Sequence, residues 1–159
     1  MAEDDDETGL DPADWPAFRA EAHALLDAAL DRMQGARDGP VWQAPSEALK
    51  STFDAPIPRA GQGAKSVAGK ITGLFPYGVG NTHPRFFGWV HGAGTPTSLL
   101  AEIGAAAMNA NLGGRDHGAI HVERQVVKWC RDLMGFPADA SGLIVSGTSL
   151  ATIIALKAA

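Results

Sequence analysis

The chain has 159 residues, 45% hydrophobic and 19% charged, with 19 glycines, 10 prolines and a single cysteine. That is enough apolar side chain to exclude wholesale disorder, and the lone Cys130 excludes a disulfide scaffold. The net charge of −5 sits at the front: residues 3–7 carry five of the 18 acids, leaving 13 acids against 13 Lys and Arg. A neutral body offers no basic face for nucleic acid and no polybasic anchor for a membrane.

Residues 1–10 read as an acidic, solvated tail, the reverse of a secretory leader. No apolar run reaches the roughly 18 residues of a membrane span, so a cytoplasmic protein is expected. Asp11-Pro12 then opens an amphipathic helix over about 12–34, with Asp11 as N-cap and Pro12 in the first turn. Trp15, Phe18, Ala22, Leu25, Leu26, Ala29, Leu30 and Met33 recur at helical spacing, and Gly35 is the stop. This stripe needs a partner surface. Residues 36–80 alternate proline with glycine and predict an irregular wrap, helical at most over 46–53 or 64–73; so long a connection either binds something or wraps a neighbour.

From Asn81 the texture changes. Phe86-Phe87-Gly88-Trp89-Val90 reads as a short extended piece after Pro84. Thr95-Pro96 predicts a helix over about 97–111, apolar enough to be buried on most faces, ending at Gly113-Gly114. A further helix is expected over about 117–134, its core stripe being Val122, Val126, Trp129, Cys130 and Leu133, with Arg124, Gln125, Lys128 and Arg131 facing solvent. Gly142-Leu143-Ile144-Val145-Ser146 reads as a buried β run, Gly147-Thr148-Ser149 as a turn, and Leu150–Ala159 as the start of a helix. A buried parallel strand requires a neighbour for its backbone groups, and none follows in the sequence. The pattern is that of an α/β domain given in part, or of one half of a two-chain assembly.

Three constellations carry chemistry. Ser146-Gly147-Thr148-Ser149, between a strand and a helix start, presents unpaired N–H groups, a favourable helix dipole and hydroxyls to an anion. It lacks the lysine of a P-loop and the spacing of a dinucleotide fingerprint or a nucleophile elbow. Equally, Thr148 or Ser149 serves only as a helix cap. His117 and His121, four apart with Glu123 nearby, have zinc-ligand spacing but no third ligand at productive distance in sequence, so no metal is expected. Cys130, on the core stripe, reads as a packed thiol. Asn81 to Gly92 is the densest mixture of aromatic, His and Arg groups: a pocket lining with Trp89 as a flat face and His91 as a proton donor, or an anchor of the loop to the core.

His83-Pro84-Arg85-Phe86-Phe87-Gly88-Trp89, then Glu123 to Trp129 before Gly135-Phe136-Pro137, then Gly142 to Ser149, together with Val41-Trp42-Gln43-Ala44-Pro45 and the opening helix, resemble the N-terminal part of the group II pyridoxal-phosphate-dependent decarboxylases. The resemblance covers most of residues 12–159. It implies the start of a fold-type I transferase fold, incomplete in this sequence: a helical, proline-rich segment over 11–80 in contact with a partner subunit, and the beginning of the large parallel-sheet domain over 81–159. It implies pyridoxal 5'-phosphate as cofactor, its phosphate held by Gly147, Thr148 and Ser149. Trp89, Val90 and His91 then line the pocket of an amino-acid substrate, and Asn109 and Asn111 belong to a second pocket segment contributed across a homodimer.

The sequence also departs from that pattern. The second pocket segment is polar here, Asn109-Ala110-Asn111, where aromatic-specific members are apolar, and His117 stands where many relatives have proline. The family's ring-stacking His, its pyridine-pairing Asp and its Schiff-base Lys fall on no residue of this sequence, and Lys157 lies in the wrong place for the last. No catalytic residue is assigned, and the chain is expected to be inactive alone. Two other readings stay open: a non-catalytic dimerisation remnant of the same family, and another fold-type I reaction of the aldol-lyase or aminotransferase kind.

Overall fold

The computed structural model describes residues 11–88, 90–111 and 115–159. These fall into two units, one up to Leu100 and one from Ala101, each treated by itself. Six α-helices are present among the described residues: α1 Trp15–Gln34, α2 Glu47–Ser51, α3 Ala64–Leu74, α4 Pro96–Met108, α5 Gly118–Leu133 and α6 Thr148–Ala158, with 3-10 turns at Gly35–Arg37, Thr52–Asp54 and Phe75–Tyr77.

In the first unit, α1 starts three residues later than expected. Asp14 rather than Asp11 caps it, its carboxylate accepting the Ala17 N–H at 2.9 Å, and Pro16 occupies the first turn. The same Asp-and-Pro device is used, one turn further along. Gly35 closes the helix with bonds from its N–H to Asp31 and Met33 carbonyls. α1 packs against α3. The half-buried positions of α3 are small, Ala64, Ala68 and Thr72, at a spacing of four. Val67, Ile71 and Leu74, by contrast, stay exposed.

Within the proline-rich wrap, the end of the segment returns onto its start. Gly80 is buried with φ +87, and a Cβ on it would lie 2.0 Å from the carbonyl oxygen of Val41. Only glycine fits both the backbone conformation and the contact.

In the second unit, α5 ends in a Schellman motif. Gly135 takes φ +70, the Phe136 N–H donates to Arg131 O at 3.0 Å and the Gly135 N–H to Asp132 O at 3.3 Å. This turns residues 138–145 back along one face of α5. Gly142 lies close against Val127, where a Cβ would come within 3.2 Å of Cγ1.

Several expectations are corrected here. Among the described residues no strand forms: Gly142–Ser146 has no neighbouring ladder, and the Ile144 N–H goes to a side chain instead. α4 is not buried on most faces, since Leu100, Ile103 and Met108 are exposed. The stripe expected as the core of α5 faces outward at Val122, Trp129 and Leu133, and Cys130 is exposed rather than packed. The covered face of α5 is the one bearing Ile120, Glu123, Val127 and Arg131, so Arg131 is the partly covered residue and not a solvent-facing one.

These reversals share one cause. No hydrophobic residue is buried among the described residues. The apolar stripes that periodicity identifies are real, but most of them are uncovered.

Candidate functional site

The first candidate segment is the loop 81–92, within the first unit. It is closed at its base by the Asn81 side-chain amide, which donates to Gly92 O. At its start a turn is built around His83. The His83 N–H donates to Gly80 O at 2.9 Å, and the Phe86 N–H to His83 O at 3.0 Å. The imidazole Nδ1 accepts the Arg85 N–H at 3.0 Å. Phe86 then folds over Gly88, where a Cβ would fall 2.2 Å from the ring. Its ring meets His91 edge to face, with centroids 5.6 Å apart at 84°.

Of the expected pocket residues, Trp89 lies outside the described residues. Val90 is fully exposed at 102% of its reference area, and His91 is exposed beside the Phe86 ring.

The second segment follows α4. Asn109 has φ +41, in the left-handed region, and its N–H donates to Ala105 O at 3.0 Å, so it ends α4 as a left-handed C-terminal residue. The carbonyl of Asn111 accepts from His117 Nε2 at 2.6 Å. Because a carbonyl only accepts, the Nε2 of His117 carries the proton. His117 is the residue preceding α5, in extended conformation with no side-chain cap, and it uses its ring on Asn111 instead. His121 pairs with Asp116 at 2.6 Å on the surface. The two histidines with ligand spacing thus hold separate partners.

The third segment is the turn before α6. Gly147 has φ +88 and nothing within 4 Å of where its Cβ would stand. The first backbone bond of the helix is Ala151 N–H to Gly147 O at 3.2 Å. No side chain caps α6, so neither Thr148 nor Ser149 consumes the helix start. Amides of residues 148–150 therefore keep the unpaired, outward-directed arrangement that suits an anion, next to a glycine that leaves space for one.

The segment that leads into this turn is held by α5, through two residues whose part the sequence did not reveal. Glu123 Oε1 accepts the Ile144 N–H at 2.9 Å. Arg131 donates from Nη1 to Ala138 O, and from Nε and Nη2 to Asp132 at 2.8 and 2.7 Å. In sequence, Glu123 reads as a neighbour of the paired histidines and as the first residue of a family-like segment, and Arg131 as a surface charge. The signal available in sequence was their i, i+8 spacing on one face of a helix, which is weak by itself. A groove of about 670 Å³ runs between α5 and Ala140–Leu143 and is bordered by Arg115, Arg124 and Lys128. Among the described residues, none of the expected site residues lines it.

Val90 and His91 thus belong to the first unit, and Asn109, Asn111 and Gly147–Ser149 to the second.

No family model matches the chain. It is similar to an aromatic-L-amino-acid decarboxylase of Bacillus atrophaeus, 28% identical over 148 residues, which is 89% of this chain and 30% of that protein. The chain therefore spans about a third of the length of the relative it matches, and the similarity supports a relationship to the decarboxylases. No helix among the described residues is long and apolar enough to cross a membrane.

Proposed function

We propose that this chain is the N-terminal part of a cytoplasmic, pyridoxal 5'-phosphate-dependent amino-acid decarboxylase. The alignment with a decarboxylase over 89% of the chain carries this reading. In it, Gly147, Thr148 and Ser149 hold the cofactor phosphate, and the loop 81–92 forms one wall of the substrate pocket. The uncapped start of α6, preceded by an unobstructed left-handed glycine, fits a phosphate group. When bound, the cofactor supplies an electron sink for cleavage between the Cα and the carboxylate of an amino acid.

The chain's own residues bind and orient. The amides and hydroxyls of Thr148 and Ser149 donate to phosphate oxygens, while Gly147 admits the phosphate close to the backbone. His91, held at the edge of Phe86, offers a ring nitrogen to a substrate, and Asn109 and Asn111 offer amides. In this reading residues 81–159 begin a fold-type I large domain, Gly142–Ser146 pairs with a strand of that sheet, and the uncovered stripes of α1 and α5 are covered by a second subunit. No residue here is assigned to bond breaking, and the chain alone is inactive.

The test is binding by the full chain of pyridoxal 5'-phosphate, of pyridoxal and of inorganic phosphate, measured by calorimetry. Pyridoxal 5'-phosphate is expected to bind in competition with phosphate, pyridoxal to bind far more weakly, and Gly147→Val to lower affinity at least about tenfold through strain at positive φ. Equal affinity for pyridoxal, or indifference to Gly147→Val, would overturn the assignment.

A further inference from the structure

His83 is 7% exposed, the buried polar side chain among the described residues. It lies in the turn that launches the loop 81–92, and its bonds are all local. Pro84 follows it and has no N–H, so the first amide that can close the turn is that of Arg85. The imidazole Nδ1 takes that amide at 3.0 Å, while the His83 carbonyl takes the next one, from Phe86, at 3.0 Å. Proline at the second position of such a turn is favoured because its fixed φ is already that of the turn.

A side-chain acceptor at the first position, bonding the amide two residues on, is the device that Asn and Asp use in Asx turns. Here an imidazole nitrogen does the same. To accept, Nδ1 must keep its lone pair, so the ring proton sits on Nε2. Nε2 is buried and has no hydrogen-bond partner among the described residues. The ring is thus committed by one nitrogen to the backbone, and that bond fixes its tautomer.

What the turn controls is the next stretch of chain. Phe86, whose N–H is the second bond of the turn, is the ring that covers Gly88 and meets His91 edge to face. The path from His83 to His91 is therefore continuous: imidazole to Arg85 amide, turn to Phe86, ring to His91.

We propose that His83 is a positioning residue, whose Nδ1 sets the turn that presents Phe86 and, through it, His91. Its importance for substrate rests on the reading above that His91 lines the pocket, but the turn itself does not.

Three variants of the full chain separate an acceptor role from simple space filling. His83→Asn keeps an acceptor where Nδ1 stands. His83→Gln places its polar atoms one bond further out, where Nε2 stands, and His83→Phe keeps the ring without either nitrogen. Amide exchange at Arg85 and the ring-proton shifts of His91 are read by NMR, and the His83 ring nitrogens report the tautomer directly. The Arg85 amide is expected to exchange at least about fivefold faster in His83→Phe and His83→Gln, the opening expected when one net hydrogen bond is lost. In His83→Asn it should stay within about twofold of the parent. The His91 ring shifts should move with the Arg85 amide across the series, and the parent should carry its His83 proton on Nε2.

An Arg85 amide already unprotected in the parent, or equally protected in His83→Phe, overturns the proposal. So does His83→Asn behaving as His83→Phe, or a His91 signal that ignores all three variants. If the exchange pattern holds while the chain shows no affinity for pyridoxal 5'-phosphate, the cofactor reading fails and the turn assignment stands.

Discussion

The loop 81–92 and the turn 138–149 are both irregular and both carry candidate residues, yet they are held in opposite ways. Beyond the seat of Gly80 against Val41 at its base, the first is shaped from within. Its bonds join residues no more than 11 apart in sequence, and Gly80, Asn81, His83 and Phe86 supply them. The second is shaped from outside, by Glu123 and Arg131 on a helix that precedes it, with Glu123 acting across 21 residues. A segment that fixes itself keeps its form as long as its own few residues are present. A segment fixed by a helix face depends on how that helix is set. The two should therefore fail under different substitutions.

The largest effect is expected at the base of the self-held loop. Gly80→Ala places a methyl group 2.0 Å from the Val41 carbonyl oxygen, at a φ of +87 that alanine resists. Backbone strain of this kind costs about 1–3 kcal/mol, and no rotamer relieves an overlap with another backbone. Urea unfolding should show Gly80→Ala losing at least about 2 kcal/mol. Gly61→Ala, with nothing within 4 Å and no positive φ, should change stability by less than about 0.5 kcal/mol. Should the two behave alike, the loop is not anchored on Val41 and the contrast between the segments loses its first term.

Next in size is the anchor of the other segment. Glu123→Ala removes the carboxylate that accepts the Ile144 N–H, a charge-assisted bond on a partly covered residue, for a loss of about 1 kcal/mol. Exchange of the Ile144 amide should speed up accordingly, while the Arg85 amide in the loop 81–92 stays as it was. Glu123→Gln should fall between, since a neutral amide oxygen still accepts. A change at Arg85 as large as that at Ile144 would break the distinction between self-held and helix-held segments.

The same contrast explains what was legible in the sequence. α1 and α5 follow from apolar periodicity and from local devices at their ends, the Asp14 cap of α1 and Gly135 after α5, although α1 moved by one turn because Asp14 and Pro16 repeat the signature of Asp11 and Pro12. The loop 81–92 was visible as a composition of aromatic, His and Gly residues because its stabilising contacts are close in sequence. The role of His83 was not visible, since a histidine used as a backbone acceptor looks like any other. Glu123 and Arg131 were missed for the opposite reason: their partners lie beyond the helix, and periodicity says which face a residue occupies but not what crosses it. Burial was misjudged for Trp129, Leu133 and Cys130 because an apolar stripe predicts that something covers it, without saying that the cover lies among these residues. The strand at Gly142–Ser146 follows the same logic, as β propensity specifies a ladder only where a partner strand is present.

The smallest expected effect bears on Asn109, a residue with two explanations. As the left-handed terminus of α4 at φ +41, it does work that glycine does as well or better and that alanine does worse. Asn109→Gly should therefore leave helix stability within about 0.5 kcal/mol, and Asn109→Ala should cost about 1 kcal/mol. If its side chain also meets a substrate, Asn109→Gly separates the two roles, because it keeps the backbone and deletes the amide. In a longer enzyme containing this segment, a rise in KM for Asn109→Gly with stability unchanged would assign the side chain to the pocket. An unchanged KM would leave Asn109 as the residue that ends α4, and would move attention to Asn111, whose carbonyl His117 already holds in place.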